Sequence, residues 1–402
     1  MWRRSGDVAL AVLVAIVGTA EAIPLAYLTW VLLGRLFGST HGPRVGMVLL
    51  GALATAGSGL VTMTVYVLAY QRVSERRAAE LAGRRRSWVG RWVEILFGSE
   101  PVPDGPLPPD AVEALLEVRD TLRGSEAARV VELLMRYGVD TDLERRALSG
   151  SVPSRLEALD GLARSRIPSA MPTLIARIED PERVIQVAAA RAAARTLAMV
   201  EDPVAREETA RALVGAVERA RLPFGVLEEM LLLADDGAPS LVGGLLFREG
   251  APAPSLRAAL DAVARLQLLV FAEEVARFLS HPDPEVRAAA LRAVARTGLL
   301  PPYARLSVLA ALQDEVEFIR IHATSAARLL PSDQALETLW ARLGDRSWWV
   351  RRSASEALAS LGRAGLAQLG RAARSHPDRY ARDMAAQALR DRVPDLVDAV
   401  TR

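Results

Sequence analysis

One pattern is written along this chain again and again. Residues 273–298, EEVARFLSHPDPEVRAAALRAVARTG, read as a helix, a tight turn at Pro282-Asp283-Pro284, and a second helix stopped by Gly298. Proline suits the first turn of a helix, where its missing N–H is not needed, and glycine suits the residue just past the end. With Arg287 as the reference, the pattern returns at Arg320, Arg351 and Arg382, at spacings of 33, 31 and 31 residues. Toward the N-terminus the same place is held by Arg257, Gly225, Gln186 and Arg155, at spacings of 30, 32, 39 and 31. A period of this length marks stacked helix pairs.

Each pair has an apolar stripe that it cannot bury alone, so every repeat must be covered by the next. Small Ala residues on the second helices let them stack closely. Residues 112–138 read as an atypical capping pair. The expectation is an all-α chain with an α-solenoid of about eight to nine helix pairs over residues 110–402. An aromatic share of only 5% and the abundance of Ala, Leu and Arg agree with helix rather than sheet.

The motif resembles the HEAT-repeat family: an apolar first helix, Asp-Pro-x-Val-Arg at the turn, then Ala-Ala-x-x-Ala-Leu and Gly. Residues 283–298 and 345–362 fit it best, and the resemblance spans about residues 110–392. It implies a fold and says little of purpose. Gln186 and Gly225 stand where the pattern has Arg, so an arginine ladder would be interrupted there. The repeated Asp and Arg read as hydrogen bonds between repeats near the turns rather than as a binding code.

The first hundred residues differ. Residues 8–33 hold one charge, Glu21, and residues 45–70 hold none. Each stretch exceeds the roughly 20 residues that span a bilayer core, so residues 1–70 are expected to form a two-helix transmembrane hairpin. A cleavable signal peptide ending near residue 22 is the alternative; the apolar run continuing to Leu33 and Pro24 just past the cut argue against it. Arginines flank the spans at Arg3, Arg4 and from Arg72 to Arg91, while the loop has only Arg35 and Arg44. The positive-inside rule then gives a multi-pass protein of a bacterial inner membrane with both termini and the solenoid in the cytoplasm.

Within the hairpin, Glu21 is either a protonated carboxyl bonded inside it or a contact for a partner's membrane helix, with Pro24 freeing a nearby carbonyl. Ala52, Ala56 and Gly59 belong to a small-residue face at four-residue spacing that favours close helix approach, within the hairpin or with a partner. Residues 71–97 read as a basic helix. Trp88 and Trp92 share a face, with Arg84, Arg85, Arg86 and Arg91 around it, which suits an anionic lipid surface or a plain cytoplasmic extension. Residues 98–109, GSEPVPDGPLPP, should act as a semi-stiff spacer.

Charge and composition narrow the function. All 50 basic residues are arginine. Residues 1–100 carry eleven of them against six acids, a net of +5, which leaves −3 for the remainder. A slightly acidic repeat region is a poor phosphate-binding surface, so no nucleic-acid partner is expected. With no Cys, thiolate metal sites and thiol nucleophiles are excluded. The four His stand apart from any ligand spacing, and neither a phosphate loop nor a nucleophile motif is present.

No cofactor and no catalysis are therefore expected. The chain reads as a scaffold or regulatory subunit for a protein partner. By analogy with HEAT-like accessory subunits, that partner would be a membrane enzyme such as an envelope glycosyltransferase. The alternatives are a lipid-surface sensor using the basic Trp helix, and a HEAT-like lyase or hydroxylase. Trp348-Trp349 is the main solenoid candidate for contact: one ring exposed as a binding anchor, or both covered by the turn at residues 375–378.

Overall fold

Helix signals saturate the chain after residue 43, and helix is the regular structure that forms. The computed structural model describes residues 43–98 and 100–400, together with Tyr27 and Val31. The chain divides into two compact units, Met1–Leu115 and Leu116–Arg402. The first contains α1 (Pro43–Leu96), an unbroken 54-residue helix, and the start of α2 (Pro109–Thr121).

In the second unit, α3 (Gly124–Arg136) precedes eight helix pairs among the described residues. The pairs are α4 (Val139–Ser149) with α5 (Val152–Ser165), α6 (Met171–Arg177) with α7 (Arg183–Leu197), and α8 (Pro203–Arg219) with α9 (Phe224–Leu233). Next come α10 (Ala238–Leu246) with α11 (Ala253–Leu266), α12 (Ala272–Arg277) with α13 (Pro284–Thr297), and α14 (Arg305–Ala311) with α15 (Glu317–Ala327). The last are α16 (Ser332–Leu343) with α17 (Trp348–Ser360), and α18 (Gly362–Ser375) with α19 (Arg379–Val400). The 39-residue spacing between Gln186 and Gly225 has a simple cause: α8, at 17 residues, is the longest first helix.

The pair α12–α13 shows how the sequence makes the unit. Asp283 caps α13 by accepting from the backbone N–H groups of Glu285 and Val286 at 2.8 and 3.2 Å. Pro284 occupies the first turn, and Gly298 ends the helix at φ 72°, donating its N–H to the Val294 carbonyl. Ala288, Ala289, Ala290 and Ala293 are fully buried. Their short side chains allow α13 to pack on α11 before it and α15 after it, and the second helices form one continuous stacked row from α5 to α19.

The membrane expectation is corrected. The first proposed span, with Glu21 and Pro24, lies outside the described residues except for Tyr27 and Val31. The second falls in α1, and among the described residues no helix is long and apolar enough to cross a membrane. That expectation rested on two long apolar stretches with a single charge, Glu21, across the two. Residues 51–59 are small or hydroxylated apart from Leu53, and α1 then runs unbroken into its arginine-rich half. The transmembrane hairpin, and the multi-pass inner-membrane placement derived from it, lose their support. Ala52 and Ala56 lie on α1, and Gly59 is exposed there. A Cβ at Gly57 or Gly59 would meet nothing within 4 Å among the described residues.

The basic half of α1 folds differently from the expectation of a lipid-facing surface. Trp92 is completely enclosed, and its indole N–H donates to the Ala111 carbonyl at 2.9 Å. Ile95, Leu96, Ala111 and Ala114 are buried in the same unit. The segment between α1 and α2 is thus a return loop rather than a spacer, with left-handed turns at Gly98 and Gly105. Arg91 pairs with Glu100 at 2.9 Å and lies over the Trp88 ring at 5.0 Å. Arg85 approaches Glu113 at 3.4 Å, while Arg84 and Arg86 stay exposed. A buried Trp92 cannot sit in a headgroup layer.

Candidate functional site

The repeated Asp and Arg serve the turns. In five repeats the residue that opens the turn accepts a hydrogen bond from the backbone N–H two residues on. The acceptor is a carboxylate in Asp180, Asp314 and Asp345 and a ring Nδ1 in His281 and His376, at 2.9 to 3.1 Å. Six residues further on, the side chains of Gln186, Arg287, Arg320, Arg351 and Arg382 donate to that same residue's carbonyl, at 2.7 to 2.9 Å. The arginines also reach the following repeat when an Asp waits there. Arg155 meets Asp180 at 2.6 Å, Arg287 meets Asp314 at 2.9 Å, and Arg320 grips both oxygens of Asp345 at 3.0 and 3.1 Å.

Where His replaces Asp, the preceding arginine lies against a ring, and Arg257 also reaches Glu285 of the next repeat at 3.5 Å. Arg257 lies over Phe224 at 4.4 Å and Arg351 over Tyr380 at 5.3 Å. These side chains are committed to holding one repeat on the next.

That leaves the outward surface of the second helices, on which charged groups link neighbouring repeats. Arg191 bonds Glu229 at 2.7 Å, and Arg265 bonds Glu228 at 2.6 Å. Arg292 takes Asp261 in a bidentate grip at 2.8 and 3.1 Å. The same guanidinium donates to His322 Nε2 at 3.3 Å. Since arginine only donates, this His322 nitrogen is unprotonated. Burial first, and the Arg292 charge second, hold the His322 pKa down to about 4. Asp261, Arg292 and His322 open onto a hollow of about 420 Å³. The cluster came from residues scattered over three repeats, and the His322 spacing gave no sign of it in sequence.

At the C-terminal end, α17 begins with the paired tryptophans. Both are exposed, Trp348 at 44% and Trp349 at 59%, with ring centroids 4.7 Å apart in an edge-on arrangement. This differs from the expectation that one would be buried. Val350, fully enclosed, fills the core position of that turn. Ser347 caps the helix by accepting from the Trp349 and Val350 N–H groups. Neither ring is therefore needed for folding the turn. Arg352 stacks over Trp348 at 5.5 Å, and the pair borders a hollow of about 370 Å³ with Ser355, Glu356 and Met384. Among the described residues no group of three or more His, Asp or Glu could hold a metal ion.

Stacked helix pairs, each locked to the next through its turn, define an α-helical solenoid of repeats. More particularly, residues 272–359 and 307–390 match the model of HEAT repeats. Solved structures that resemble the chain include an engineered protein (16% identity, 76% of this chain and 98% of that one, TM-score 0.30). Escherichia coli YibA is similar at 17% identity over 71% of this chain and 93% of its own, with TM-score 0.34. The complex of CpcE and CpcF of phycocyanin lyase from Nostoc sp. is similar at 18%, covering 73% and 98%, with TM-score 0.23. No curated protein matches the chain.

Proposed function

We propose that this protein is a non-enzymatic scaffold or regulatory subunit that binds a protein partner on the second-helix surface around α17 and α19. The exposed Trp348–Trp349 pair carries the reading. Two large rings with no part in the core or the cap, the first of them lining an open hollow, form the kind of aromatic anchor that dominates protein interfaces. The solenoid supplies a long rigid support on which such an anchor is held in place.

The test is co-purification of the tagged full chain from its native cells, with isotope-ratio quantitation against a Trp348→Ser, Trp349→Ser variant. Both rings are exposed, so the variant should keep its melting temperature. At least one protein should fall tenfold or more in recovery, the loss expected when an anchor worth over about 1.4 kcal/mol is removed. If every co-purifying protein is retained equally, the reading is wrong. The identity of the lost protein also decides the finer reading, in which the partner is a membrane enzyme such as an envelope glycosyltransferase.

A further inference from the structure

On the other side of the solenoid, the first helices α8, α10 and α12 enclose a groove of about 710 Å³, the largest hollow among those described. We infer that this groove is a second docking site, separate from the tryptophan surface, and that its occupant is an amphipathic helix of a partner protein bearing basic residues beside its apolar anchors.

The walls are apolar and open to solvent. Phe247 is 58% exposed and Val270 is 74% exposed, although each stands beside the well-buried Phe271. Phe247 leans on Phe271 with ring centroids 6.3 Å apart, which fixes its ring as part of the wall. Apolar side chains left in water next to a ready hollow are costly unless something covers them.

The floor is α10, and it carries two adjacent glycines in mid-helix, Gly243 and Gly244. Together they cost roughly 1 to 2 kcal/mol of helix stability against alanine. The fold does not require them. A Cβ at Gly243 would sit 3.6 Å from the Phe247 ring and 3.7 Å from Phe271, and one at Gly244 would sit 3.6 Å from Val214, all ordinary contacts. What their bareness preserves is the depth of the trough.

Charge selects the occupant. Arg248 on the rim is already neutralised by Glu218. Glu207 and Glu274, on the helices that flank the floor, have no ion pair among the described residues. Among the described residues of the lining, Arg211 is the one cation without an ion pair. The lining thus carries one more free carboxylate than guanidinium, which favours a cationic partner. The surrounding elements are all helices, with no strand edge among the described residues for an extended peptide to join. An apolar trough of this kind takes anchors at the i, i+3 or i+4, i+7 spacing of a helix.

A random 16-residue peptide library displayed on phage and panned on the full chain tests this. Enriched sequences should show apolar residues at helical spacing with Arg or Lys beside them. A synthetic copy of the best one should bind the chain saturably in fluorescence anisotropy. Phe247→Asp should weaken it at least tenfold, and Trp348→Ser should leave it unchanged. Gly243→Ala should hold or raise the melting temperature while weakening the peptide several-fold, a split that a merely structural role for Gly243 would not produce. The inference is overturned if no sequence is enriched, if the enriched sequences are acidic or proline-rich, or if Phe247→Asp binds as well as wild type. Since Phe247 is exposed, its variant should fold; the Trp348→Ser arm separates failure here from failure of the surface around α17.

Discussion

Arg320 and Asp345 are the most deeply buried ion pair of the turn ladder, with side chains 5% and 4% exposed. The guanidinium also satisfies the carbonyls of Asp314 and Glu315 at 2.8 and 3.0 Å. Deleting it leaves the buried Asp345 carboxylate with only Arg342, at 3.5 Å, and the Ser347 N–H, and takes a donor from two carbonyls, a loss of about 2–4 kcal/mol. Arg320→Ala should therefore lower stability by that amount in urea denaturation. Hydrogen exchange should rise mainly across α15 and α17, because a repeat leans on its neighbours alone. A loss below about 1 kcal/mol would show that the ladder is ornamental. His322 makes a different prediction. Its pKa of about 4 in the fold lies below the ordinary 6.5. Above pH 6.5 both folded and unfolded chains hold it neutral, and it costs nothing. As pH falls from 6.5 to about 4, the unfolded chain takes up a proton that the fold refuses, so stability declines over that window. His322→Gln should flatten this part of the stability–pH curve, read from urea midpoints at pH 7, 5 and 4.

At the scale of the element, three of the second helices share one ending. Gly298 after α13, Gln267 after α11 and Arg166 after α5 all adopt the left-handed conformation, at φ 72°, 52° and 52°. In each the N–H returns to the carbonyl four residues back. Only Gly298 was legible as a stop signal, because only there does the residue type match the backbone. At the other two ends the packing of the repeat imposes the turn on a residue that resists it. Gly298→Ala should cost about 1 kcal/mol through conformation alone, since its Cβ would meet nothing within 4 Å. Gln267→Gly should move the melting temperature the other way by a comparable amount, measured by thermal unfolding followed by circular dichroism. The same limit explains α1. The absence of charge over residues 45–70 was plain in sequence, but the burial of Trp92 required the return loop to bring Ala111 beside it.

For the whole molecule, the repeat alone determined that the chain would be helical, that it would be built of pairs, and where most turns would fall. The reason is local: proline, aspartate, alanine and glycine act within one turn of themselves, so their periodic placement survives without knowledge of the fold. Interruptions of the ladder at Gln186 and Gly225 were equally legible; Gln186 still bonds the Asp180 carbonyl, whereas Gly225 has nothing to offer. Surfaces were decided by tertiary structure. Both tryptophans at 348 and 349 face outward because Val350 takes the core position. The trough at Phe247 exists because helices from three successive repeats lie side by side. Asp261, Arg292 and His322 meet across three successive repeats, two of them shared with the trough. A stacked array brings together residues about thirty positions apart, and no rule of neighbouring residues reaches that far. What the repeated motif settled was therefore the architecture; which residues it leaves open to a partner was settled only by the stacking.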